Sequence, residues 1–561
     1  METNSIRDGI DRRTLIKTVG GGTLGTVVAG CMGGGDGGDG SDGSDGSDGG
    51  DGGDTDTGGS DIPQFGWLLT GNLRTLDPGR ATDRPVTISS MNFYDNLVTV
   101  NSDAEVVGHV ATDWEIEDGG ERVVFSLRDD ITFHSGNQLT ADDVAYSMDR
   151  ILEEEMGLYS LWQGVLEPGQ TEVVDDNTVA FNLNNTFEPF IATLVQFRIV
   201  DSQVLQENEV DGDYGREFLN RNVAGSGPYQ LPEPLEGGDP NQIEMEAFED
   251  YWQGWEDDQF QRAQMRKVEE ESTIINLIRT GEAHMTDPVL SLSTYEEIES
   301  FDNGTTMEAE QFAVFHIGLH TQKPPTDDPK VREAFAYAYD YQAAIDNIFQ
   351  GGVNPPGVVP KSMPGHNDDL EPVTRDLDRA QAALEESNYT VEEINAAGVE
   401  HVHVAEIQRQ RNVGLLFQNS LSELGIEVDV NPLTWAQMTE RTSQMDTSPT
   451  AINILYASQY PSPDSFLYNA YHPSNSGSWQ YVSWMDDDDL ISNLENARST
   501  ADSAQATELY KEAQKQIYDS YPGIYIVNQP LRVGFNSNVD GYSHKGVSGY
   551  YGRFHDMSWS Q

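Results

Sequence analysis

The chain has 561 residues, enough for about three or four domains of ordinary size. It carries 95 Asp and Glu against 32 Lys and Arg, a net charge of −63. This charge excludes an ordinary nucleic-acid-binding protein, because such proteins neutralise phosphate with basic side chains. The hydrophobic fraction of 37% is sufficient for a folded core, and the single cysteine excludes disulfides within the chain and cysteine-rich metal sites.

The acidity is distributed along the whole chain. Residues 33–60 contain eight aspartates, and without them the net charge is still about −55. Charge of this size destabilises a folded state by self-repulsion unless salt screens it, and at molar salt the Debye length is about 3 Å. We therefore expect a protein adapted to very high salt, whose stability falls when the salt is diluted. A calcium-loaded protein is the alternative, but no EF-hand loop pattern occurs in the sequence.

The first 30 residues are predicted to be an export signal. Arg12 and Arg13 precede Leu-Ile-Lys and a short, weakly apolar segment, which resembles a twin-arginine signal. Residues 28–31 read Val-Ala-Gly-Cys and resemble a lipobox, in which the cysteine becomes the lipidated N-terminus. The only cysteine of the chain, Cys31, lies at that position, with a structural cysteine as the alternative. Residues 31–60 then continue in Gly, Asp, Ser and Thr, a composition typical of a disordered tether.

The first half of the body contains strand and helix patterns. Residues 121–128 alternate, with Val123, Phe125 and Leu127 on one face, which predicts a strand. Thr140 followed by acidic residues resembles a capping box and predicts the start of a helix.

The second half predicts a unit of two strands joined by a helix. Asp328-Pro329 opens a predicted helix that ends at the Gly351-Gly352 pair. Val402 and Val404 indicate a strand, and residues 411–424 a helix closed by a glycine; residues 426–430 then alternate as the next strand. A last helix is predicted over 503–518.

Several segments occur together in the order found in one protein family. They are the run from Val110 to Arg150, Gly225–Tyr229, Tyr251-Trp252, Lys330–Asp340, Ser462–Leu467 and Asp540–Tyr542. With them the chain resembles solute-binding protein family 5 of ABC importers, the dipeptide/oligopeptide-binding type, over about residues 62–561. The acidic composition and the signal give it the character of a haloarchaeal lipoprotein.

The resemblance implies an α/β, two-lobed, periplasmic-binding-protein-like fold of class II type. Residues 61–311 with 521–561 are expected to form a discontinuous lobe with an extra subdomain, and residues 312–520 the second lobe. The implied function is capture of a peptide or small solute for ABC permease subunits, without enzymatic activity, cofactor or metal. The protein is expected to be a monomer, held by its lipid on the extracellular face of the cell membrane.

The resemblance also implies which segments line the ligand cleft. The predicted ligand-binding residues are Ala81, Thr82, Asp83, Arg84, Trp435, Arg441, Tyr456 and Gln459. For two of them there is an alternative reading, in which Trp435 belongs to the lobe core and Arg84 forms an exposed ion pair.

Gln459 departs from the family pattern. Peptide binders of this family place an Asp four residues before the Pro that matches Pro463, where it pairs with the α-ammonium of the ligand. An amide dipole stabilises a desolvated ammonium far less than a carboxylate charge does. Either the ligand lacks a free amino terminus, or another carboxylate such as Asp83 or Asp464 takes the role.

Other functions remain open in the same fold. A binder of oligosaccharides or other neutral solutes would use exposed aromatic rings, and a receptor would present its ligand to a membrane sensor. Binding of nickel chelates is a further alternative. His401 and His403 alternate on a predicted strand, and we expect them to be surface residues rather than ligands.

Overall fold

A computed structural model describes residues 63–236, 241–547 and 552–560. The predicted signal with Arg12 and Arg13, the lipidation site Cys31 and the tether up to residue 60 lie outside the described residues. In the parts that are described, no helix combines the length and apolarity needed to cross a membrane.

Strands from the beginning and the end of the body share one mixed sheet, which forms the first lobe. In spatial order its strands are Gly304–Ala309, Leu531–Asn536, Met285–Thr286, Gln64–Leu69, Arg262–Lys267, Gln242–Ala247 and Tyr229–Gln230. Its helices are Arg84–Phe93, Ser202–Glu207, Glu271–Thr280 and Leu292–Glu299. Because Gln64–Leu69 and Leu531–Asn536 lie in the same sheet, this lobe is discontinuous in sequence.

A four-stranded antiparallel sheet forms a subdomain within the first lobe's sequence. Its strands, in spatial order, are Ala111–Glu117, Arg122–Leu127, Thr178–Asn182 and Thr171–Asp175. The predicted alternation is confirmed, since Val123, Phe125 and Leu127 are buried. The predicted capping box is also confirmed: Thr140 and Asp143 close the start of the helix Ala141–Glu153.

The second lobe has a five-stranded sheet. Its strands, in spatial order, are Val428–Leu433, Val399–Val404, Ala451–Ala457, Ala313–Leu319 and Gly523–Asn528. The first three are parallel to one another, and the last two are antiparallel to their neighbours. Its helices of seven or more residues are Pro329–Ala338, Leu377–Glu386, Val391–Ala397, Gln408–Ser422, Trp435–Thr442, Asp464–Tyr471, Asp488–Arg498 and Ser503–Ser520. The predicted strand–helix–strand unit is confirmed, and sheet membership extends this lobe past residue 520, to the end of its last strand.

The helix predicted over residues 328–351 is broken. Its first segment is Pro329–Ala338, after which Tyr339 takes an extended conformation with ψ of 136°. Asp340 then caps a new turn, Tyr341–Ala344, through its own carboxylate. Aspartate competes for nearby backbone amides and so favours such a restart, which apolar periodicity alone does not reveal.

Two chain crossings that lie side by side join the lobes. The segments between residues 309 and 313 and between 528 and 531 connect neighbouring strands of one sheet to neighbouring strands of the other. The Asn528 side-chain amide donates hydrogen bonds to the carbonyls of Gln311 and Ala313, at 2.8 Å each. The Gln311 amide in turn donates to the carbonyl of Gln529 at 3.0 Å. The two crossings are therefore tied together.

A buried ion pair ties the subdomain to the loop that precedes the helix Arg84–Phe93. Arg150 and Asp77 are 1% and 0% exposed, and two guanidinium nitrogens donate to the two carboxylate oxygens at 2.8 and 2.7 Å. Arg150 Nε donates to the carbonyl of Tyr214 at 2.8 Å. Asp77 also accepts from the Gly79 amide at 3.0 Å, so this one carboxylate shapes the loop as well as balancing the charge.

We expect Asp77→Asn to lower the free energy of unfolding by about 3–5 kcal/mol, because it leaves the Arg150 charge buried without a partner. Urea denaturation at one fixed molar salt concentration measures the change. Glu297→Gln is the control, since it breaks an ion pair with Arg279 in which both side chains are about half exposed, and its cost is expected to stay below about 1 kcal/mol. Equal losses in the two variants would contradict the prediction.

Candidate ligand-binding cleft

The three parallel strands of the second lobe end at the same edge of the sheet. The segments that follow them begin at Ala405, Thr434 and Ser458. Ligands of open α/β sheets bind outside the carboxyl ends of parallel strands, where the connecting segments diverge. This edge is therefore the part of the second lobe in which a site is expected.

A space of about 350 Å³ lies between this edge and the first lobe, directly beside the two crossings. Its second-lobe wall includes Arg409, Leu455 and Ala457, and its first-lobe wall includes Arg84 and Val289. Leu455 and Val289 are about half exposed and lie on the two walls of this space, so they present apolar surface to it. The space combines exposed apolar surface with cationic groups, a combination suited to a small organic ligand.

Three arginines line the space, and two of them are neutralised by carboxylates. Arg84 Nη1 lies 2.7 Å from the buried Asp287 carboxylate, and Arg532 pairs with Glu308. Arg409 Nη1 instead donates to the neutral side-chain oxygen of Gln529 at 3.0 Å. No carboxylate lies within ion-pair distance of Arg409 among the described residues, and burial lowers the pKa of its guanidinium.

In this respect Arg409 differs from Arg84 and Arg532, the other two arginines of the same cleft. Its guanidinium also lies 5.7 Å from the centre of the Phe349 ring, a neutral contact that orients the charge without balancing it. Of the three arginines that line the cleft, Arg409 is therefore the one whose charge is held by neutral groups. Its guanidinium is suited to bind an anionic group of a ligand.

The family described as bacterial extracellular solute-binding proteins, family 5, middle, has a model that matches residues 105–478. The chain belongs to this family. Its members are solute-binding proteins, so this family 5 protein is not an enzyme, which agrees with the sequence-based prediction.

Individual proteins agree with the family assignment. The dipeptide-binding protein of Escherichia coli (strain K12) is 26% identical over 489 residues, covering 81% of this chain and 87% of the relative. The glutathione-binding protein GsiB of Salmonella typhi is 26% identical over 483 residues, covering 84% of this chain and 90% of the relative. HbpA2 from Haemophilus parasuis superposes with a TM-score of 0.77 at 24% identity, over 89% of this chain and 100% of that structure. The two-lobed α/β fold predicted from the sequence is confirmed.

The first predicted segment of the family 5 site lies at the start of the helix Arg84–Phe93. Ala81 is buried, Thr82 is exposed, and Asp83 caps the helix by accepting from the Val86 amide at 3.2 Å. Arg84 is the member of this segment that lines the space described above. Its ion pair is with a buried carboxylate of the first lobe.

The second predicted segment lies at the outer strand of the second lobe. Trp435 is 48% exposed and packs edge-on against Trp479, with 5.3 Å between ring centres. Arg441 is six residues further along the helix and binds both carboxylate oxygens of Glu400, at 2.8 and 2.7 Å. Neither Trp435 nor Arg441 is among the residues that line the space at the crossings.

The third predicted segment turns its side chains to opposite sides. Tyr456 is buried in the second lobe, where its ring stacks on His316 with centres 5.3 Å apart, and its hydroxyl donates to the carbonyl of Gln480. Gln459 is exposed, and its carbonyl accepts a hydrogen bond from the Gln196 side-chain amide of the subdomain at 2.6 Å.

The two carboxylates considered as substitutes for Gln459 already have partners. Asp83 caps a helix, as described. Asp464 is buried, accepts hydrogen bonds from the hydroxyls of Tyr460 and Tyr510 at 2.9 and 3.0 Å, and lies 3.3 Å from Arg498. No further acceptor capacity of Asp464 faces solvent, because its side chain is 1% exposed.

Arg409 was missed by sequence reasoning. It lies in the first turn of the helix Gln408–Ser422, directly after a strand whose position had been predicted. The rule that sites follow the carboxyl ends of parallel strands would have selected this turn. Arg409 is distinguished from the other cleft arginines because it pairs with the side-chain amide of Gln529 instead of a carboxylate. Gln529 lies 120 positions away in the sequence, so no local pattern indicates this pairing.

The expectation that His401 and His403 are surface residues is wrong. Both are buried, with their rings on the same face of the strand Val399–Val404. His401 Nε2 lies 3.1 Å from the Asn453 side-chain oxygen, and burial lowers its pKa to about 4. Parallel strands pair with both edges of this strand, and the helices Gln408–Ser422 and Trp435–Thr442 both pack against it, so its side chains are buried.

Proposed function

We propose that this protein captures di- or oligopeptides between its two lobes and delivers them to the permease of an ABC importer. Two relatives that cover most of the chain are named for dipeptide and glutathione binding, which supports this ligand class. The open space at the crossings, about 350 Å³, is within the range of small-molecule sites.

The observation that carries the proposal is the Arg409 guanidinium, which faces the cleft and has no carboxylate partner among the described residues. A peptide carries one carboxylate at a fixed end, and a planar guanidinium binds a carboxylate through two parallel hydrogen bonds. The exposed Leu455 and Val289 then supply apolar surface for the side chains of the ligand.

The amino end of the ligand is bound without an ion pair. Gln459 does not itself line the described cleft but lies two residues after Ala457, which does, and its side chain is a neutral amide. The nearby Asp464 carboxylate is occupied by Arg498 and two tyrosines. Selection for peptides with a blocked or internal amine follows from this arrangement. An oligosaccharide is less well supported, because the aromatic pair of Trp435 and Trp479 does not line the described cleft. Among the described residues, no contact in the cleft supports binding of a nickel chelate or presentation of a ligand to a membrane sensor.

We expect Arg409→Gln to raise the dissociation constant of a free-acid peptide at least tenfold, because a charge-assisted hydrogen bond contributes about 1.5–3 kcal/mol. Binding of the same peptide with an amidated C-terminus should be unchanged. Isothermal titration calorimetry at fixed molar salt measures both. Arg411→Gln is the matched control, since this exposed arginine lies on the same helix but does not line the cleft. Equal weakening by the two variants, or none by Arg409→Gln, would count against carboxylate binding at Arg409.

We expect Gln459→Asp to strengthen binding of a free-amine peptide relative to its N-acetylated form. The substitution introduces a carboxylate, and close ion pairs at interfaces couple by about 1.5–7 kcal/mol, of which desolvation offsets a large part. In the wild type, acetylation should change affinity little. Tryptophan fluorescence with one peptide in both forms, at fixed molar salt, tests the prediction. A wild type that already discriminates a hundredfold against the acetylated peptide would show that another group binds the amine.

The proposal includes a lipid anchor at Cys31 on the outer face of the cell membrane, reached through the twin-arginine signal. The basis is the sequence of residues 12–31, with the sole cysteine at the lipobox position. Molar salt is the proposed medium, in agreement with the net charge.

Cys31→Ser is expected to release the protein into the medium, since the thiol that would carry the lipid is absent. Arg12→Lys combined with Arg13→Lys should instead block export and retain the protein inside the cell. Cell fractionation followed by detergent phase partitioning measures both outcomes. A Cys31→Ser protein that stays with the membrane and partitions into detergent would refute the lipobox assignment.

A further inference from the structure

A second space, of about 320 Å³, lies between the subdomain and the second lobe. It is separate from the cleft beside the crossings, and the two have no lining residue in common. Its walls are mostly apolar and include Trp114, Ile116 and Phe190 from the subdomain and Pro461, Pro463 and Tyr510 from the second lobe. Ile116 is about half exposed, as expected of a side chain that faces an unfilled pocket.

One carboxylate lies in this apolar pocket. Glu188 lines it, and its side chain accepts a hydrogen bond from Ser503 of the second lobe, which also lines the pocket. Among the described residues Glu188 takes part in no ion pair. Burial, reinforced by the charge of Asp464, raises its pKa to about 7.

The charged and titratable groups around Glu188 leave it without a counter-charge. They are Asp464, Tyr460, Tyr510 and Arg498, all from the second lobe. Asp464 binds Arg498 at 3.3 Å, and the two tyrosine hydroxyls donate to Asp464. The Arg498 guanidinium is stacked 3.6 Å from the Tyr468 ring centre and 4.7 Å from that of Phe187. Among the described residues around Glu188, Arg498 is the one positive charge, and it is therefore already bound.

We propose that this pocket is a second ligand site, which binds a hydrophobic primary amine with its apolar group against the walls and its ammonium on Glu188. An apolar anion would be repelled by the Glu188 carboxylate, and a neutral molecule would leave this charge without a counter-charge. The pocket therefore favours an apolar cation. The site does not depend on peptide binding in the cleft at Arg409. Desolvation by the apolar walls also protects such a pair from the screening that molar salt imposes on exposed charges.

The binding should increase with pH in a defined window. A carboxyl group with a pKa near 7 is largely protonated at pH 5.5 and largely ionised at pH 8.5. An alkyl ammonium with a pKa near 10 keeps its charge over that whole range. The affinity is therefore expected to rise through pH 7 because Glu188 loses its proton, and to level off above pH 8.

The test compares two probes of nearly equal shape, phenethylamine and 2-phenylethanol, by calorimetry on the full-length protein at fixed molar salt. At pH 8.5 the wild type should bind the amine at least tenfold more tightly than the alcohol, and Glu188→Gln should reduce this ratio to threefold or less. At pH 5.5 the wild-type ratio should also fall to threefold or less, which tests the proposal even where the variant does not fold.

Two controls locate the binding. Glu115→Gln should leave the ratio unchanged, because Glu115 is exposed and lies between Trp114 and Ile116 on the same strand without lining the pocket. Arg409→Gln should also leave it unchanged. Equal affinities for the two probes in the wild type, or a loss in either control as large as in Glu188→Gln, would overturn the proposal.

Discussion

The double crossing between the lobes is the constraint on which the rest of the structure depends. A single crossing would allow the lobes to rotate freely, whereas two adjacent crossings tied by Asn528 restrict relative motion to a hinge. The same two segments form the floor of the cleft, where Ala313 and Gln529 line the same space as Arg409. The hinge and the proposed ligand site therefore share the same backbone segments, so that a ligand bound there would contact both lobes at once.

The distribution of charge separates the surface of the protein from its cleft. Acidic residues outnumber basic ones about threefold over the chain, and the arginines at Asp77, Asp287 and Glu308 are all neutralised. Arg409 is held instead by an amide and an aromatic ring. Where the surroundings are strongly acidic, an unpaired cation attracts carboxylates from the protein itself. Arg409 stays without a carboxylate partner among the described residues because the groups that contact its guanidinium, Gln529 and Phe349, are neutral.

Local signals in the sequence were sufficient for several elements of the fold. The capping box at Thr140, the alternation at Val123–Leu127 and the strand–helix–strand unit around Gly425 depend on residues close together in the chain, and all three are confirmed. The helix break at Asp340 was not predicted, because the aspartate cap that causes it leaves the apolar periodicity unchanged. The burial of His401 was not predicted either, because it depends on the position of its strand inside the sheet. The orientation of Tyr456 and the pairing state of Arg409 depend on tertiary neighbours, and no local pattern encodes them.

The subdomain contacts the second lobe, although its sequence is inserted in the first. The Gln196 amide reaches the Gln459 carbonyl, and the Glu188 amide donates to the Arg498 carbonyl at 2.8 Å. Opening of the cleft requires either that these contacts break or that the subdomain moves with the second lobe. In the first case the stacking of the Arg498 guanidinium on the Phe187 ring is lost together with the two hydrogen bonds. In the second case the displacement falls between the subdomain and the first lobe, where the buried Asp77–Arg150 pair opposes it, since breaking such a pair is strongly destabilising.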